Sequence, residues 1–112
     1  MNIFTRVKDF ILAPLKPKAP KPTGRIIRAW EHRSFGNCIT YRESIGWYCW
    51  LTPRPRVGDE LRFEVEGGQV LGRLIQYVDY CKDPEDMAFF SLWYGSDPIS
   101  TFKNREEEKK HE

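Results

Sequence analysis

The run Asp59-Glu-Leu-Arg-Phe-Glu-Val-Glu66 constrains the fold more than any other stretch, because Leu61, Phe63 and Val65 alternate strictly with Arg62, Glu64 and Glu66. Successive side chains of a strand point to opposite faces, so this pattern predicts a strand with one apolar face and one wet face. Gly67-Gly68 follows at once. Two glycines supply the positive φ angles of a two-residue type I′ turn, and residues 69–80 then return as the partner strand of a hairpin. Gly72 interrupts that return strand, and a glycine there marks a strong bend or the close approach of another backbone.

The rest of the chain is read outward from this hairpin. Gly24 opens the folded part, and residues 25–31, 38–43, 47–51 and 87–94 have the β-branched and aromatic content of short strands. Polar turns separate them at 34–37, 44–46 and 82–86. Residues 52–56, Thr-Pro-Arg-Pro-Arg, form a strap, since neither Pro53 nor Pro55 can donate to a ladder. About six short strands in sequence would leave a flat sheet half exposed, so the expected fold is mainly β, a small antiparallel meander barrel, closed or partly closed. That domain spans residues 24–95.

Before it, Ile3, Phe4, Val7, Phe10 and Ile11 make the apolar stripe of a short amphipathic helix in residues 1–15. Residues 16–23 are a Lys/Pro linker, whose prolines forbid helix and ladder alike. Residues 96–112 read as a polar connector and a charged tail, in which Glu106 and Lys110 are spaced to pair on a frayed helix.

Several function classes are disfavoured. No apolar run approaches the roughly 20 residues a bilayer span needs, and the first apolar stretch is too short for a signal-peptide core, so the expectation is a cytoplasmic protein and not an integral membrane one. Cys38, Cys49 and Cys81 are odd in number and lack C-x-x-C spacing, which argues for reduced thiols. With His32 they lack the paired short spacing of zinc sites, so no metal or other cofactor is expected. No nucleophile elbow, paired-histidine helix or spaced carboxylate pair is present, and the chain reads as non-enzymatic. The acidic turn Asp83, Glu85 and Asp86 reads as solvated.

Two resemblances bear on the setting. Val57-Gly58-Asp59-Glu60-Leu61, the Gly67-Gly68 hairpin and Gly72-Arg73-Leu74-Ile75 together resemble the middle of Tudor, KOW and Src-homology-like barrels, over about a third of the chain. The stretch Tyr80-Cys-Lys-Asp-Pro-Glu-Asp-Met-Ala-Phe-Phe90 is similar to one in uncharacterised small bacteriophage and prophage proteins. The second resemblance implies a mobile-element setting in a host cell and carries no active site.

The surplus of aromatic residues is the main functional signal. Trp47 and Cys49 point to one face of their strand and Tyr48 and Trp50 to the other, and Phe89 and Trp93 oppose Phe90 and Tyr94 in the same way. A small barrel cannot use both faces as core, so Tyr48, Trp50, Trp93 and Tyr94 are candidate contacts for a host or phage protein. Phe4, Val7, Phe10 and Ile11 of the arm would add to that surface, join two copies, lie on an anionic membrane, or fold back over the barrel and cover its aromatics. A second reading is a small barrel that binds single-stranded nucleic acid by combining stacking with Arg25, Arg28, Arg42, Arg54 and Arg56. Its support is an uneven charge: residues 1–62 hold 12 Lys and Arg against 5 Asp and Glu, and residues 63–112 hold 6 against 11. A third reading is a minor virion structural protein.

Overall fold

The computed structural model describes residues 18–34, 37–82 and 87–110, so the N-terminal arm and its stripe lie outside the described residues. The strands are β1 (Ile26–Arg28), β2 (Arg33–Ser34), β3 (Asn37–Arg42), β4 (Gly46–Trp50), β5 (Glu60–Glu64), β6 (Val70–Tyr80), β7 (Met87–Leu92) and β8 (Ser100–Phe102). A 3-10 turn, Ala29–Glu31, follows β1, and a short helix α1 (Arg105–Lys110) follows β8. The mainly-β expectation holds.

The meander holds only in part. The sheet runs β1-β5-β6-β7-β4-β3-β2, with β8 added to the start of β6. Consecutive antiparallel pairing accounts for β2-β3-β4 and for β5-β6-β7, but β4 pairs with β7 instead of β5, and β1 lies parallel to β5. Among the described residues β1 and β2 do not pair with each other. The sheet is therefore a curled half-barrel: of the closed or partly closed barrel expected, the closed form is not reached. The chain supplies the reason at three points: the prolines of residues 52–56 stop β4 from running into β5, β1 gives way to a 3-10 turn, and β2 is two residues long.

The Gly67-Gly68 hairpin forms, with φ of 94° and 89° at the two glycines. Its loop is three residues long rather than two, because the Val65 amide donates to the Gln69 carbonyl at 2.8 Å and the Gly68 amide to the Val65 carbonyl at 3.0 Å. Gly72 marks a close approach, as expected: a Cβ there would lie 2.1 Å from Glu60 Oε2 and 2.9 Å from the Ser100 Cβ. That neighbour belongs to β8, so residues 100–102, expected to be connector, form a strand on β6.

One face of the sheet carries the core. Ile27, Cys49, Leu51, Leu61, Ile75, Ala88, Phe90 and Leu92 are buried together there, with Trp47, Phe63 and Val78 packed against them. Each fully buried aliphatic side chain contributes about 1.5 to 3 kcal/mol relative to exposure. Burial also pushes the Cys49 thiol up to about 11, the nearby Cys38 adding to it.

The opposite face of β5, expected to be wet, is exposed at Glu64 and Glu66 but covered at Arg62. Arg28 and Arg62 stand side by side in the parallel β1/β5 register, a like-charge pair that is destabilising unless countered. Glu108 of α1 counters it: its Oε2 accepts from Arg28 Nε at 2.6 Å and from Arg62 Nη1 at 2.6 Å. Arg62 Nε also donates to Glu60 at 2.8 Å. Two arginines and two glutamates thus form a buried network in which Glu108 is 2% exposed. Burial alone pushes the Glu108 carboxyl up, but the hydrogen bonds from Arg62 and Arg28 and their positive charges outweigh it and hold it below the usual carboxylate range. The charged tail accordingly contains a docked helix over residues 105–110, whose Glu108 is spent on Arg28 and Arg62 of the basic half of the chain.

Candidate functional site

Two surfaces among the described residues stand out once the core and the ion network are accounted for. The first is the face of β4 and β7 turned away from the core. Register fixes its members: Tyr48 lies between Thr40 and Phe89, Trp50 opposite Met87, Phe89 opposite Asp79 and Ser91 opposite Tyr77. Tyr48 sits 6.0 Å from Trp50 and 6.0 Å from Phe89 between ring centroids, at 80° and 48° between planes. These distances suit tilted and edge-on aromatic contact. Tyr48, Trp50, Met87 and Phe89 are half-buried, and Tyr77 at the margin is 57% exposed. Their immediate neighbours in sequence show the contrast, since Cys49, Ala88 and Phe90 belong to the core.

The four aromatics singled out in the sequence therefore divide. Tyr48 and Trp50 share this face. Trp93 lies past the end of β7, where its ring packs over Gly95 and its Nε1 donates to Ser96 Oγ at 3.2 Å. Tyr94 is 62% exposed, with the Arg73 guanidinium 4.4 Å from its ring centroid. Phe89 and Met87 complete the stripe and were not singled out, because only the β4/β7 pairing brings them beside Tyr48 and Trp50. The contacts Phe4, Val7, Phe10 and Ile11 lie outside the described residues.

The second surface is a groove of about 640 Å³ where the strap after β4 crosses the end of the sheet, lined by Thr23, Arg25, Pro53, Arg54, Arg56, Asp59 and Tyr80. Pro55 is buried, while Arg54 and Arg56 on either side of it are exposed. The strap is pinned from below. Arg25 donates through Nη2 to the Pro53 carbonyl and through Nη1 to the Arg54 carbonyl, each at 2.8 Å, and Tyr80 donates its hydroxyl to the Pro55 carbonyl at 2.6 Å. Asp59, 1% exposed, accepts from the Thr23 hydroxyl, from Arg25 Nη1 at 3.3 Å and from the Arg56 amide at 2.9 Å.

The five arginines expected to make a basic surface are thus split. Arg25, Arg54 and Arg56 meet at the groove. Arg28 is committed to Glu108, and Arg42 lies beside the β3/β4 turn, at the other end of β4 from the strap. Asp59, Thr23 and Tyr80 were not singled out for this surface; the strap prolines and Arg25, Arg54 and Arg56 were the signals that pointed to it.

His32 Nδ1 is buried without a hydrogen-bond partner among the described residues. No cluster of three or more His, Cys, Asp or Glu placed to hold a metal ion occurs among them. No helix among them is long and apolar enough to cross a membrane. Set against family models, curated proteins and solved structures, the chain matches none.

Proposed function

We propose that this chain is a non-catalytic interaction module that engages a protein partner through the stripe Tyr48, Trp50, Met87 and Phe89, with the N-terminal residues contributing to the contact. The observation that carries the reading is the half-burial of three neighbouring aromatic rings on a sheet face whose reverse side already holds the core. Rings of this kind are enriched in the buried centres of protein interfaces. The partner surface that suits them is apolar and centred on a few large side chains. A phage or prophage protein acting on a host or phage partner is the setting that residues 80–90 suggest.

The test is co-purification from host lysate of the intact chain, of a chain lacking residues 1–22, and of the variant Tyr48→Ser/Phe89→Ser, with light scattering to read self-association. Retention of one stoichiometric partner by the intact chain, reduced at least about tenfold in the serine variant, is the expected result. No partner and no self-association in any form would remove the proposal, as would equal retention by the serine variant.

A further inference from the structure

The outer face of the sheet is laid out symmetrically about a line between β4 and β7. Cross-strand partners project to the same side, so the register sets Thr40, Tyr48, Phe89 and Asp79 in one row across β3, β4, β7 and β6. Trp50 and Met87 lie opposite each other on one side of this row. On its other side, by the two-residue period of a strand, stand Arg42 on β3 and Tyr77 on β6. The inner strands β4 and β7 thus carry the apolar side chains, with Arg42 on one flank and Asp79 on the other. Both are exposed, and neither makes an ion pair among the described residues. Opposite charges on opposite flanks of an apolar centre make a surface complementary to itself under a two-fold rotation.

We infer that a second copy of this chain caps the stripe, the two outer faces packing together about a two-fold axis that runs along the strands between β4 and β7. The inference rests on the reading of the stripe as a contact surface and names an occupant for it. Such an axis exchanges β4 with β7 and β3 with β6. Tyr48 then lies over Phe89 of the second copy and Trp50 over its Met87, and every contact occurs twice. Arg42 meets the opposite flank, where Asp79 offers a carboxylate and Tyr77, 57% exposed, offers a ring face. Sheets packed face to face stand about 10 Å apart with their strands within about 30° of each other, a gap that two layers of large side chains fill. A partner with a rim of one sign would set one of the two flanks against its own charge, whereas a second copy matches both. A contact of a few apolar pairs with exposed charges at its rim is reversible on dilution. The stripe is therefore open at low concentration, and a tighter-binding protein displaces the second copy.

The test is the oligomeric state of the purified full chain, read by sedimentation equilibrium from about 1 μM to about 1 mM at low salt. The variants are Tyr48→Ser/Phe89→Ser, Arg42→Asp and Asp79→Arg, each checked by circular dichroism, together with an equimolar mixture of the last two. The parent should show a monomer–dimer equilibrium, and the serine variant should stay monomeric. Arg42→Asp and Asp79→Arg should each weaken the dimer about tenfold or more, because each sets like charges against one another at both flanks. Their mixture should restore association, since each variant supplies the charge that the other lacks, and a variant that had merely lost its fold could not be rescued in this way. A parent that stays monomeric throughout the range overturns the inference. So does a dimer that persists in the serine variant, one that neither charge reversal weakens, or a mixture that associates no better than its components. A monomeric parent that still retains a lysate protein through Tyr48 and Phe89 separates failure of this inference from failure of the stripe as a contact surface.

Discussion

Two regions of the same sheet invert the usual arrangement of polar and apolar surface. On β5 the charged face is the covered one: Glu60 and Arg62 are buried beneath α1 with Glu108. On β4 and β7 the face turned from the core is aromatic and half open. Strand alternation places side chains on a face, but which face is covered depends on elements that arrive from elsewhere. Glu108 reaches Arg62 across 46 positions and Arg28 across 80. The charged face can be buried because its four charges cancel and are hydrogen-bonded, whereas an isolated buried charge would cost several kcal/mol. The aromatic face needs no such neutralisation, and its rings are half-buried among the described residues.

The largest effect that would break this contrast is at Glu108. Glu108→Ala removes the carboxylate that Arg28 and Arg62 share, leaving Arg62 to Glu60, and should cost about 3 to 5 kcal/mol, read as a loss of unfolding free energy in urea. A similar loss belongs to the core: Phe90→Ala should cost about 3 to 5 kcal/mol. Its neighbour Phe89→Ala should cost only about 1 kcal/mol, because the removed ring is half-exposed. Equal costs at the two positions would mean that the outer face is as covered as the core.

A smaller effect is expected with pH. The folded Glu108 carboxyl is held below its ordinary value of about 4.3, so the stabilisation it gives is complete above that value and is lost as pH falls through the lower folded one. The stability gap between the parent and Glu108→Gln should therefore be constant from neutral pH to about 5 and should narrow below about 4.3. A gap that widened on acidification would contradict the sign. The smallest effect is chemical: at mildly alkaline pH, Cys49, with its thiol pushed up to about 11, should resist alkylation in the folded chain, while half-buried Cys38 and Cys81 react.

Local physics made part of this legible from sequence. The alternation at residues 59–66, the paired glycines and Gly72 each express a backbone requirement within a few residues, and all three recur in the structure, the hairpin loop being one residue longer than expected. The opposite directions of Tyr48/Trp50 and Trp47/Cys49 followed from the same period of two. What was not legible rests on long-range pairing. Phe89 joins Tyr48 only because β4 skips β5 and β6 to pair with β7. Arg62 leaves the wet face of β5 only because Glu108 of α1 reaches it, while Glu64 stays exposed. The groove, likewise, depends on Tyr80 reaching the strap from the far end of β6.

The central claim, that the stripe Tyr48, Trp50 and Phe89 is open in the free chain and is the contact surface, is tested most directly by hydroxyl-radical footprinting of the full chain alone and with its purified partner. The account predicts that these three residues oxidise well ahead of Phe90 in the free chain and become protected together in the complex. Oxidation of Phe89 as slow as that of Phe90, or protection in the complex confined to other residues, would contradict it.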